Sequence, residues 1–280
     1  MKCIRNIIEV REQLNSWRNA GDVIAFVPTM GNLHKGHMQL VEDAKKQADR
    51  VVVSIFVNPT QFGVGEDFST YPRTEKQDKE KLESLGVDLV FMPSVAEMYA
   101  TSNITTISVS DISEGYCGAK RVGHFDGVAT VVSKLFNIVQ PHKAFFGEKD
   151  FQQLAVIRAM VLDLNLPIEI VPVAIVRESS GLAMSSRNGY LSSEQKELAA
   201  QLYVSLSVAK EQILLGQADY SEIEQQACSK LTKLGFEPDY FSICRQLDLK
   251  KAGKADKNLV ILLAVILGKT RLIDNLQINL

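Results

Sequence analysis

Two of the chain's four histidines stand within four residues of each other, in His34-Lys35-Gly36-His37. The stretch follows an apolar run at residues 23–27 and an expected turn, Pro28-Thr29-Met30-Gly31. Beyond it, Leu40, Val41, Ala44 and Ala48 recur at helical spacing within residues 38–49. The pair therefore lies where a strand gives way to a helix. There, outward backbone N–H groups and the helix dipole favour an anion. Imidazoles at that point can donate hydrogen bonds to phosphate oxygens, and Gly36 lets a phosphate come close to the backbone. The chemistry these residues suit is the binding of a nucleoside triphosphate.

Other polar segments also follow strand-like runs. They are Asn58-Pro59-Thr60-Gln61-Phe62-Gly63 with Glu66-Asp67-Phe68 and Tyr71-Pro72-Arg73, then Gly147-Glu148-Lys149-Asp150 with Gln152 and Gln153, and finally Met184-Ser185-Ser186-Arg187-Asn188. Each has an ordinary reading as a turn, a helix cap or a polar loop. Each also has a chemical one. Gln61 can hold a ligand hydroxyl or carboxylate, Lys149 can pair with a phosphate, and two serines beside Arg187 match a phosphate clamp. His124 and His142 read as structural. The run Glu75, Asp78, Glu80 and Glu83, interleaved with Lys76, Lys79 and Lys81, reads as a solvated helix face without chemistry. A Walker-type phosphate loop, a Gly-x-Ser-x-Gly elbow and a Cys-x-x-Cys pair are all missing. Phosphate-binding groups without an evident protein nucleophile suit a reaction in which the substrate itself attacks the nucleotide.

These loops need a scaffold. Short runs at residues 23–27, 51–57, 87–92, 143–146 and 168–173 alternate with amphipathic stretches at 35–49, 74–85, 127–139 and 151–164. Such alternation implies βαβ units and a parallel sheet, with ligands beyond the carboxyl ends of the strands. After Val176 the rhythm changes. Helices are expected at 193–215 and 221–234, and strand-like runs at 239–244, 259–267 and 270–276. The expected class is α/β: a Rossmann-like parallel-sheet nucleotide-binding domain over residues 1–176, then a smaller α+β lid domain over 177–280.

The 280 residues are 46% hydrophobic and 23% charged, with a net charge of −2, so no general affinity for nucleic acid or anionic membrane is expected. Cys3, Cys117, Cys228 and Cys244 show neither metal-type nor disulfide-framework spacing, which fits a reducing cytoplasm. The N-terminus lacks a signal-peptide apolar core. The longest apolar run, residues 259–267, falls well short of the roughly 18 residues of a membrane span.

Residues 28–37, 56–63, 123–130, 145–153 and 181–191, and the final run Leu267-Gly268-Lys269-Thr270-Arg271-Leu272-Ile273-Asp274-Asn275, together resemble the pantothenate synthetase (pantoate–β-alanine ligase) family. The likeness covers nearly the whole chain. It belongs to a wider nucleotidyltransferase group that includes class I aminoacyl-tRNA synthetases, in which a His-x-Gly-His signature works with a later Lys/Ser-rich loop; residues 184–187 look like its counterpart. The resemblance implies a two-step ligase: ATP and (R)-pantoate give a pantoyl adenylate and pyrophosphate, and β-alanine then displaces AMP. It implies nucleotide contacts from Met30, Gly31, Asn32, Leu33, His34, Lys35, Gly36, His37, Gly147, Glu148, Lys149, Asp150, Val176, Met184, Ser185, Ser186 and Arg187, with His34, His37 and Lys149 catalytic. It also implies pantoate anchoring by Gln61 and Gln153, β-alanine near Gln61, Mg²⁺ with the ATP and held in part by Asp67, and a homodimer through the first domain. Asn58 and Tyr71 are expected nearby. Val64, Val122, Asp126 and Ser179-Ser180 depart from the family's usual residues, which bears on loop dynamics rather than reaction type. An adenylyltransferase with a phosphorylated acceptor fits less well, because neutral Gln61 and Gln153 suit a hydroxy acid better. A catalytically silent nucleotide-binding protein fits less well too, because both histidines, Lys149 and Arg187 are present.

Overall fold

The computed structural model describes residues 1–99, 103–217 and 219–280. In chain order its elements are β1 (Lys2–Ile4), α1 (Ile7–Asn19), β2 (Ile24–Thr29), α2 (Lys35–Lys45), β3 (Arg50–Ile55), α3 (Glu75–Ser84), β4 (Leu89–Phe91), α4 (Val95–Met98), α5 (Cys117–Lys120), α6 (His124–Val139), β5 (Lys143–Gly147), α7 (Phe151–Asp163), β6 (Glu169–Val173), α8 (Ser193–Ala199), α9 (Gln201–Leu214), α10 (Tyr220–Lys233), β7 (Glu237–Arg245), β8 (Asn258–Leu267) and β9 (Thr270–Asn279). Short 3-10 turns cover Pro59–Gln61, Glu148–Asp150 and Ser186–Tyr190. The chain parts into two compact units: Met1–Glu148 with Val156–Ala174, and Lys149–Ala155 with Ile175–Leu280.

The first unit holds a six-stranded sheet, β1-β4-β3-β2-β5-β6, paired in parallel throughout. Its central strands are continuous apolar runs because both faces are covered: Ile24, Ala25, Phe26 and Val27 of β2 and Val52 and Val53 of β3 are fully buried. The chain builds outward from β2 through β3 to β4, then returns to the other side of β2 with β5 and β6. The order thus reverses between β2 and β5, the switch point at which α/β sheets bind ligands. Those two strands pair only at Ala25↔Lys143 and Phe26↔Ala144. Pro28 therefore sits in β2 where that ladder has already ended, and β2 runs on through Thr29 rather than turning at Pro28.

Strand β1 and helix α1, as well as the four-residue helices α4 and α5, were not foreseen from the sequence. Edge strand β1 is three residues long. Helix α1 had a readable signal, since the Asn6 carboxamide caps it by accepting from the N–H groups of Ile8 and Glu9, and Val10 and Leu14 form its buried stripe.

The second unit carries an antiparallel sheet, β7-β8-β9. Alternate residues of β8 (Leu259, Ile261, Leu263, Val265, Leu267) join Leu202, Leu206, Ala209 and Ile213 of α9 and Ile223 and Leu231 of α10 in one core. The single helix expected at 193–215 is instead two. At their junction Ala200 stays right-handed, but its N–H is shared at 3.3 Å between the carbonyls of Lys196 and Glu197, and the next bond along, from Val204 to Ala200, stretches to 3.5 Å.

Candidate active site

Helix α2 begins at the histidine motif itself, at the start of the stretch expected over residues 35–49, but it ends earlier, at Lys45. Its N-cap is His34, whose Nδ1 accepts the N–H of Gly36 at 3.1 Å; the Nδ1 of His37 in turn accepts the N–H of His34 at 3.3 Å. The two imidazoles form a capping box, a device usually built from Ser/Thr and Glu/Gln. This has a chemical consequence. A ring nitrogen that accepts a hydrogen bond carries no proton, so in the neutral form each ring must bear its proton on Nε2. The cap thus makes both side chains Nε2–H donors, with ring centroids 4.1 Å apart, at a helix N-terminus beside the switch point. Lys35 and Gly36 form the first turn behind them.

The loop leading into this cap corrects the reading of the acidic run on α3. Asp78 is fully buried, not solvated. Its carboxylate accepts from the N–H of Asn32 (2.9 Å), the N–H of Leu33 (2.8 Å) and Oγ1 of Thr74 (3.1 Å), while Nζ of Lys81 donates to the Leu33 carbonyl at 2.6 Å. The charge alternation of α3 conceals one face that grips the loop. Gly31 and Asn32 both have positive φ (82° and 50°). A Cβ at Gly31 would also lie 3.0 Å from Cγ2 of Ile55 and 3.2 Å from Oδ2 of Asp78, so glycine is required there. The backbone N–H groups of Asn32 and Leu33 are thus taken up by Asp78. Leu33 itself packs into the core.

Beyond β3, Asn58 and Gln61 are buried and linked. The Asn58 carboxamide is oriented without ambiguity: its Nδ2 donates to the Gly127 carbonyl (3.2 Å), and its Oδ1 accepts from the Thr60 N–H and from the Tyr99 hydroxyl (2.8 Å). Because Nδ2 also donates to Oε1 of Gln61 at 3.1 Å, the Gln61 amide presents its NH₂ as the donor, lying 3.3 Å from the sulfur of Met30. A donor of that kind suits a carboxylate or hydroxyl oxygen. Burial pushes the Tyr99 phenol up, against a smaller opposing effect of its bond to Thr60.

The Gln61 backbone is held as well. Its carbonyl accepts from Nδ1 of His124 (2.8 Å) and from Arg121 (3.3 Å), and Arg121 makes a two-pronged pair with Glu66 at 2.6 Å. His124 is therefore structural as expected, but its place is beneath a predicted substrate anchor. Burial pushes the Glu66 carboxyl up, yet the hydrogen bonds and charge of Arg121 outweigh it and hold the group below the usual carboxylate range. Gly127 in α6 lies under the same turn. A Cβ there would stand 2.3 Å from the Thr60 carbonyl oxygen and 2.7 Å from Cα of Gln61. We predict that Gly127→Ala destabilises the fold by about 1–3 kcal/mol, the cost of overpacking; denaturant titration checks this, and unchanged stability would show that the turn gives way to the added methyl. Tyr71 is buried against Phe62 in the loop that follows.

Lys149, Asp150, Gln153, Val176 and residues 184–187 all belong to the second unit. Gly147 ends β5, and the turn Glu148–Asp150 leads into α7, which carries Gln153 in its first turn. Nζ of Lys149 lies 3.8 Å from Asp150. Val176 and Met184 meet across a tight reversal, where the Met184 N–H donates to the Val176 carbonyl at 3.0 Å beside the bridge Arg177↔Ala183. Ser185 then caps the 3-10 turn by accepting from the Arg187 N–H, and buried Asn188 anchors it through donations to Glu178 and to the Ala183 carbonyl. In the first unit, His142 ties the start of β5 to β2 by accepting the Ile24 N–H at 3.0 Å.

Among the described residues no group of three or more His, Cys, Asp or Glu could hold a metal ion. Asp67 is partly exposed on the loop after the Pro59–Gln61 turn. Among the described residues no helix is long and apolar enough to cross a membrane.

Fold and site together define an α/β protein with a doubly wound parallel sheet, whose switch-point loop is built to meet an anionic ligand. The model of the pantoate-beta-alanine ligase family matches residues 2–277. A pantothenate synthetase of Alteromonas mediterranea is 54% identical over 281 residues, covering 100% of both chains, and one of Shewanella loihica is 55% identical over 279 residues, covering 99% of both. Among solved structures, a pantothenate synthetase from Thermus thermophilus superposes with a TM-score of 0.93 at 42% identity, over 99% of each chain. A pantoate-beta-alanine ligase from Francisella tularensis, complexed with beta-gamma ATP and beta-alanine, gives 0.83 at 37% identity over 99% of this chain and 97% of that one. The chain belongs to the pantoate-beta-alanine ligase family. It is an enzyme, an ATP-binding ligase of pantothenate biosynthesis.

Proposed function

We propose that the enzyme joins (R)-pantoate to β-alanine in two steps through a pantoyl adenylate. In the first, a pantoate carboxylate oxygen attacks the α-phosphorus of ATP; the bond from that phosphorus to the bridging oxygen breaks and pyrophosphate leaves. In the second, the β-alanine amine attacks the acyl carbon, loses a proton and expels AMP. The observation that carries this reading is the two-histidine capping box, which turns both rings into Nε2–H donors at the switch point.

Charge accumulates on the phosphorus oxygens and on pyrophosphate in the first step, so donors fixed in advance do the catalytic work. His34 and His37 supply two. Lys149, with Ser185, Ser186 and Arg187 on the capped 3-10 turn, supplies further donors, and Met30, Gly36, Gly147, Glu148, Asp150 and Val176 line the nucleotide. Gln61 and Gln153 hold pantoate, Gln61 using the NH₂ that Asn58 leaves it, and Gln61 adjoins β-alanine. In the second step, proximity is the protein's contribution.

Mg²⁺ carried on ATP needs only one or two protein carboxylates, its other ligands being phosphate and water, and partly exposed Asp67 fits that role. Bound there, the ion would neutralise phosphate charge. Cysteine spacing that matches neither a metal site nor a disulfide framework supports a reducing, cytoplasmic setting. We further propose a homodimer through the first unit, checked by sedimentation.

Pantoate-dependent exchange of labelled pyrophosphate into ATP, without β-alanine, tests the adenylate. Exchange is the expected result. Turnover of all three substrates with no exchange would replace the adenylate with a concerted route.

A further inference from the structure

The run Thr270-Arg271-Leu272-Ile273-Asp274-Asn275 has no part in the chemistry above, yet it buries three polar residues, Thr270, Asp274 and Asn275. Within the second unit, Arg177 pairs with Asp274 through both prongs: Nη1 to Oδ2 at 2.6 Å and Nη2 to Oδ1 at 2.9 Å. The guanidinium also lies over the Tyr203 ring, 4.0 Å from its centroid, and donates to the Gly181 and Asn275 carbonyls. Asp274 in turn accepts the N–H of Asn275 at 2.8 Å. A buried ion pair is seldom retained for stability, since apolar residues of similar volume serve the fold as well or better; what it can supply is a defined geometry. Here that geometry fixes both backbone polar groups of Asn275. Its side chain then reaches 126 residues back along the chain, and Nδ2 donates to the Lys149 carbonyl at 2.9 Å. The acceptor is a carbonyl, so the amide orientation is determined. Segment Lys149–Ala155 accordingly belongs to the second unit, although β5, directly before it, belongs to the first.

We propose that Asn275, held by the Arg177–Asp274 pair, is the positioning residue for Lys149. It sets where the Lys149 backbone lies, and so the place of an ammonium that must meet a phosphate within hydrogen-bond distance. The inference rests on the proposed role of Lys149 at the nucleotide. A displacement of about 1 Å in a catalytic group costs up to roughly a hundredfold in rate.

A double-mutant cycle tests it, using the pyrophosphate-exchange rate. Lys149→Ala is expected to lower the rate by about 10²–10³-fold, and Asn275→Ala by about tenfold or more, with KM for β-alanine unmoved. In the Lys149→Ala background, Asn275→Ala should cost no more than about twofold, because the group it positions is gone. Losses that multiply overturn the proposal and place Asn275 in general structural support. Full activity in Lys149→Ala overturns the role of Lys149, and this inference with it, whatever Asn275 does. If Asn275→Ala does not fold, Asn275→Ser carries the same cycle.

Discussion

His37→Ala is expected to slow pantoate-dependent pyrophosphate exchange by about 10²–10³-fold, the usual cost of removing one donor aimed at developing charge. The substitution removes two things at once: the Nε2–H donor, and the Nδ1 acceptor that caps α2 by taking the His34 N–H. Losing the cap alone costs about 0.5–2 kcal/mol of stability, so the roles must be separated. His37→Gln does this. Glutamine at the third helical position is the ordinary capping-box partner, so the stability lost in His37→Ala should return, while the imidazole stays absent and the rate stays low. Recovery of both rate and stability in His37→Gln would reduce His37 to a helix cap. An unchanged rate in His37→Ala would take it out of the mechanism.

The largest effect on stability is expected at Asp78. Asp78→Ala strips the acceptor from two backbone N–H groups, those of Asn32 and Leu33, and from the Thr74 hydroxyl, all in a buried setting. A buried donor left unsatisfied costs about 1–3 kcal/mol, so a total of about 3–5 kcal/mol is expected from chemical denaturation. Asp78→Asn keeps the shape but turns an NH₂ toward one of these donors, and should lose roughly half as much. If the histidine cap has its proposed catalytic role, activity should fall in step, because the gripped loop ends at Leu33 and the cap begins at His34. Glu80 and Glu83, exposed on the same helix, provide the contrast: alanine at either should shift stability by no more than about 0.5 kcal/mol. A loss of that small size at Asp78 would show that the loop holds itself.

The sequence by itself determined whatever depends on near neighbours in the chain. The central strands could be read because both faces of a parallel sheet are buried, which leaves continuous apolar runs at β2 and β3. The histidine motif could be read because a capping box spans only four residues, His34 to His37, although its consequence, both protons on Nε2, follows from the hydrogen bonds. Helix α1 carried its Asn6 cap and its Val10 and Leu14 stripe in plain view, and weighing that signal would have found it.

What only the tertiary structure decided are the pairings between groups remote along the chain. The charge alternation of α3 is the same whether Asp78 faces water or the amides of Asn32 and Leu33, 46 and 45 residues away. The Gln61 amide takes its direction from Asn58, whose own orientation depends on Gly127, 69 residues on. Asn275 finds the Lys149 carbonyl across 126 residues. Burial obliges each polar group to find a partner, but residue type alone does not say which one. That choice is made only when the fold brings donor and acceptor within about 3 Å in a place water cannot reach.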